Sequence, residues 1–120
     1  MEIIEKVNPV KITDKETKKI YILEFSRDTV SACEQTGFNW DDFPKMIATY
    51  APIVFFFAFK MHDRRISKAE TDRILEQIGG MNGKLVARLR DLWNQALSPM
   101  VNDEDDYDNE KNAKWAVDLD

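Results

Sequence analysis

Few side chains in this 120-residue chain could do chemistry, and each stands alone. The one histidine, His62, sits in Lys60-Met61-His62-Asp63-Arg64. A His-Asp pair occurs in metal phosphohydrolases, but such sites need further histidine ligands and the chain has none. His62 reads instead as a helix-end residue, where a cation suits the C-terminal dipole. The one cysteine, Cys33, needs a base to become a nucleophilic thiolate, and His62 is the sole candidate. Nothing in the sequence brings the two together, so Cys33 reads as a small buried helix residue. A lone cysteine forms no intramolecular disulfide and fits a reducing cytosol. A calcium loop opened at Asp103 would need Gly at its sixth position and a carboxylate at its twelfth. Those positions hold Asp108 and Lys114, so the pattern fails. Gly79-Gly80-Met81-Asn82-Gly83-Lys84 lacks the spacing of a phosphate loop, with Leu85 where Ser or Thr should stand, and reads as a helix C-cap and turn. Arg64, Arg65, Arg73, Arg88 and Arg90 are scattered by helical spacing among acids and read as ordinary surface. No catalytic residue, cofactor site or metal site is expected, and the chain reads as a binding protein rather than an enzyme.

The bulk composition sets the frame for those residues. Hydrophobic residues make up 43% and charged residues 32%, the profile of one globular domain. The net charge of -5 is unevenly placed. Residues 102–120 carry eight acids against two lysines, a balance of -6, which leaves the first 101 residues near neutral. A near-neutral domain argues against nucleic acid as the main partner. The longest apolar stretch, residues 46–59, is too short to span a bilayer and contains Pro52, so no membrane association is expected. No signal peptide is expected from the charged start. The division is a folded domain over 1–101 and an acidic tail over 102–120.

The elements that must position these residues follow in order. Alternation and β-formers predict an antiparallel hairpin of residues 7–13 with 19–25, Pro9 suiting an edge strand. Ser26 is an N-cap, Phe25 and Val30 match a hydrophobic staple, and the helix stops at Gly37. Pro44 opens a second helix, and Pro52 forces a break near Tyr50–Ala51 with a new helix over 52–62. That helix, with Ile53, Val54, Phe55, Phe56, Phe57, Ala58, Phe59 and Met61, is apolar on every side and must be surrounded, by its own domain or by a partner. A capping box at Ser67 and Glu70 opens the next helix, which ends at Gly79-Gly80. Leu85, Val86, Leu89, Leu92, Trp93, Ala96 and Leu97 give the last, stopped by Pro99. The fold class is α+β, mostly α: an N-terminal hairpin and four to five helices around an apolar central one. Beyond it, the acidic run 102–110 reads as a solvated spacer. Trp115, Val117 and Leu119 alternate with Ala116, Asp118 and Asp120 as a strand-like peptide suited to strand addition on a hairpin edge, a neighbour's or its own.

The string Val7-Asn8-Pro9-Val10-Lys11-Ile12-Thr13-Asp14, then Tyr21-Ile22-Leu23-Glu24-Phe25-Ser26-Arg27, resembles the start of a family of small phage proteins. The likeness continues through Phe55-Phe56-Phe57-Ala58-Phe59-Lys60-Met61-His62 and Ser67-Lys68-Ala69-Glu70-Thr71-Asp72, and ends with Gly79-Gly80 and the acidic tail. The whole resembles tail assembly chaperones of long, non-contractile-tailed phages and of prophages in Gram-positive hosts. Hairpins of this kind often carry Gly in the turn, where this chain has Lys18. The resemblance implies an oligomeric protein that binds the tape measure protein and recruits tail tube subunits in the host cytoplasm. It implies absence from the finished virion, and a short form of a protein made in two lengths by frameshifting. The alternative is a structural connector or completion protein that stays in the particle. Candidate contact residues are Trp115, Val117 and Leu119 in the terminal peptide, and Phe55 and Phe56 in the apolar helix.

Overall fold

The computed structural model describes residues 6–99. The architecture is α+β and mostly helical, a hairpin followed by four helices among the described residues. The spacer and the peptide with Trp115, Val117 and Leu119 lie outside the described residues.

Strands β1 (Val10–Thr13) and β2 (Ile20–Leu23) pair antiparallel, with Val10 opposite Leu23 and Ile12 opposite Tyr21. Both are shorter than the predicted 7–13 and 19–25. On the first strand Pro9 offers no N–H, and the backbone at Val7 and Asn8 is engaged by α4 side chains instead: Val7 N–H donates to Gln95 and Asn8 C=O accepts from Arg88. The turn is built by Asp14, whose carboxylate accepts the N–H groups of Glu16 and Thr17. Thr17 and Glu16 thereby hold the Asp14 carboxyl below its ordinary value. The Lys18 N–H closes on the Asp14 carbonyl, which places Lys18 at φ +66°, a left-handed conformation that disfavours side chains.

Helix α1 (Arg27–Glu34) starts at Ser26, whose hydroxyl accepts from the Thr29 N–H while Thr29 accepts the Ser26 N–H. Phe25 and Val30 are both buried, as a staple requires. The helix ends in a turn that closes at Gly37, φ +95°. Pro44 opens only a 3-10 turn (Phe43–Lys45), and α2 (Ile47–Lys60) then runs straight through Pro52. The expected break at Tyr50–Ala51 is absent. Pro52 removes one bond near the helix start, at Ala48, which is exposed and open to water. The first turn is held by Met46, whose carbonyl takes the N–H groups of Thr49 and Tyr50. The burial of Ala51, Val54, Phe55, Ala58 and Phe59 on one side then outweighs the local penalty.

Helix α3 (Lys68–Gln77) begins at Ser67, which accepts the Glu70 N–H, but only half of the expected capping box forms. The Glu70 carboxylate turns away to accept from the Tyr21 hydroxyl at 3.2 Å, tying α3 to β2. Bonds from Gly80 to Leu75 and from Gly79 to Glu76 close its C-terminus as a Schellman motif. Helix α4 (Gly83–Leu97) starts at Asn82, an N-cap that accepts from Leu85 N–H. Helix α2 is central: α1, α3, β2 and the 3-10 turn all pack on it. At the other end of the core, Trp93 of α4 meets Phe25, Phe38 and Trp40 at ring separations of 5.3 to 5.8 Å.

Candidate partner-binding surface

The residues with chemical potential are kept apart. Cys33 is buried, and desolvation, helped by the Glu34 charge, pushes its thiol up to about 12. No thiolate forms there near neutral pH. His62 sits just past α2 and bonds Glu24 at the end of β2, Nε2 to Oε1 2.8 Å. This bond links two elements rather than activating a nucleophile. Among the described residues no group of three or more His, Cys, Asp or Glu is placed to hold a metal. No described helix is long and apolar enough to cross a membrane.

Among the described residues, one side of α2 is only partly covered. Helical geometry puts Ala51, Val54, Phe55, Ala58 and Phe59 on the inner face. Ile53, Phe56, Phe57 and Lys60 fall on the other, at spacings of three and four, and all four are only half-buried. Phe55 is therefore core, edge-on to Phe59 at 5.0 Å, and offers no contact surface. Phe56, expected beside it as a contact residue, does reach the outer side. There its ring meets Phe57 at 5.1 Å and lies under the Lys60 ammonium at 5.3 Å.

Beside this stripe a groove of about 390 Å³ runs between α1 and α2. Ala32, Phe57 and Met61 supply its apolar lining, and Asp28, Lys60 and Arg64 its charged groups. Met61 is 39% exposed, high for so apolar a side chain. A second exposed pair, Met46 and Ile47, stands at the other end of α2. An apolar floor with charged groups alongside suits the apolar face of an amphipathic helix. Sequence reasoning marked the helix over 52–62 as one that must be covered but did not single out Ile53, Phe57 and Met61 within it, and it missed Ala32. An all-apolar helix has no polar side to mark which face points outward, and only the packing of α1 and α3 decides it.

These features define a small, mostly helical α+β domain built around one apolar helix whose outer side chains Ile53, Phe56 and Phe57 are half-buried. The chain belongs to the family described as a domain of unknown function (DUF5055), whose profile matches residues 5–119. No curated protein and no solved structure matches it.

Proposed function

We propose that the chain is a phage tail assembly chaperone, which binds the tape measure protein and recruits tail tube subunits without turnover. The observation that carries this reading is the half-covered outer face of α2: Ile53, Phe56 and Phe57 beside the α1–α2 groove. A long helical protein that aggregates when unassembled presents apolar helix faces, and this surface has the chemistry to shield one. The acidic residues 103–110 add net charge that keeps such a complex soluble. The same face serves self-association, so a homo-oligomer is part of the proposal. Action is in the host cytoplasm, and the chain leaves before the virion is complete.

Co-expression with the tape measure protein tests it. A complex should survive size-exclusion chromatography and be lost in Phe57→Asp, and mass spectrometry of purified particles should not find the chain. A strict monomer that forms no complex would sink the proposal. Detection of the chain in purified particles would instead favour a structural connector.

A further inference from the structure

Among the described residues no strand pairs with the outer edge of β2, the edge beside α2, and the sequence supplies a strand to close it. In an antiparallel pair, backbone groups point alternately toward and away from the partner strand. The bond from Asp14 N–H to the Lys19 carbonyl sets this phase. It turns the N–H groups of Ile20, Ile22 and Glu24 away from β1. Glu24 finds a partner on that side, the Ala58 carbonyl of α2, at 3.0 Å. Ile20 and Ile22 have none among the described residues. Alongside them lies a groove of about 260 Å³ lined by Lys19, Ile20, Ile22, Phe59, His62 and Asp63. Ile20 is 52% exposed. A bare strand edge with apolar side chains beside it is an aggregation template unless something covers it. A two-stranded hairpin also gains stability from a third strand.

We propose that residues 114–120 return to this edge of their own chain and pair with β2 as a third strand. Four observations select that occupant. Trp115, Val117 and Leu119 alternate with Ala116 and Asp118, the period a strand with one apolar face requires. The family match covers residues 5–119, so the peptide and the hairpin fall within the same matched domain. The link from Pro99 to Lys114 is 15 residues, which reaches up to about 50 Å and so spans a domain of this size. The acidic residues within 103–110 also complement the exposed Lys11, Lys15, Lys18 and Lys19 of the hairpin. A tether of that length gives an effective concentration of about 1 mM, so pairing within one chain prevails over pairing between chains at micromolar protein. The α1–α2 groove does not share the residues of this edge and stays available to a partner.

Amide hydrogen exchange on the full chain, read by NMR, tests the pairing. The Ile20 and Ile22 amides should be protected equally at about 20 and about 500 µM protein. The double substitution Trp115→Ser, Val117→Asp should speed their exchange by about tenfold or more, while the Leu89 and Leu92 amides of α4 keep their protection. Fast exchange of Ile20 and Ile22 in the unaltered chain would overturn the proposal, as would protection unchanged by the double substitution. Protection that rises with concentration alongside dimers would overturn it in favour of a strand from a second copy.

Discussion

Phe55 and Phe57 are two positions apart on one helix, and truncating each should fail in a different way. Phe55 is wholly buried with its ring edge-on to Phe59. Cutting it to alanine should cost about 3–5 kcal/mol, of which the ring pair accounts for about 0.5–1.5. A domain of this size holds roughly 5–14 kcal/mol in total. Phe55→Ala should therefore lower the melting temperature by at least about 12 °C, at about 4 °C per kcal/mol. Phe57 is half-buried on the outer side. Full burial of a phenylalanine is worth about 1.5–3 kcal/mol, so Phe57→Ser should cost about 1. If the outer face is where a partner helix sits, that same change should weaken partner binding by about 30-fold or more, as loss of a buried aromatic anchor does. Urea denaturation gives the first quantity, with an unchanged slope marking an intact fold. Titration with a purified tape measure segment gives the second. Phe57→Ser that binds normally, while Phe55→Ala melts as expected, would show that the outer face is not the contact surface. Phe57→Ser as destabilising as Phe55→Ala would show that α2 is surrounded on all sides.

Three further outcomes follow from the geometry. Lys18→Gly relieves a left-handed residue worth about 1–2 kcal/mol against a glycine entropy cost of about 0.5–1, so the substitution should stabilise the fold by about 0.5–1 kcal/mol in urea titration. Cys33 holds its proton to about 12, so at pH 8 only about one thiol in ten thousand is ionised, and a thiol reagent should react only as fast as the chain unfolds. The unfolded chain ionises that thiol near 9.0, so the Cys33 contribution to stability should fall as pH rises from 9.0 toward 12, and Cys33→Ala should flatten that decline. Pro52→Ala restores the N–H that can bond to the Ala48 carbonyl and should raise stability by about 1–2 kcal/mol, after allowing for lost ring packing against the roughly 3 kcal/mol helix penalty of proline.

Pro52 also marks where sequence rules stop being sufficient. Local chemistry located several helix ends that depend on one or two residues, though not the Asn82 cap of α4 or the 3-10 turn at Pro44. Ser26 and Ser67 cap helices, Gly37 and Gly79-Gly80 close them, and the position singled out for its missing glycine, Lys18, adopts the conformation glycine favours. Those signals act through bonds within a few residues. The helix break at Tyr50–Ala51 was a local inference too, but its outcome depended on five side chains buried by α1, α3 and β2. The Glu70 half of the capping box failed for the same reason, because the Tyr21 hydroxyl 49 positions away competes for the carboxylate.

The half-buried face of α2 is hidden from sequence rules by a related effect. A helix apolar all round announces that it must be covered but carries no polar stripe to say which side its own domain covers. The described core covers Phe55 and leaves Ile53, Phe56 and Phe57 half-buried, so the demand splits: one face is met by the described residues and the other only in part. The hairpin makes a parallel demand through its backbone, since the Ile20 and Ile22 N–H groups, without partners among the described residues, lie beside a groove lined by Ile20, Ile22 and Phe59 together with Lys19, His62 and Asp63. A flat apolar face suits a helix, whereas a row of unpaired amides suits only an extended strand. The two features therefore call for different occupants, and in our proposal the alternating sequence at residues 115–119 answers the second and not the first.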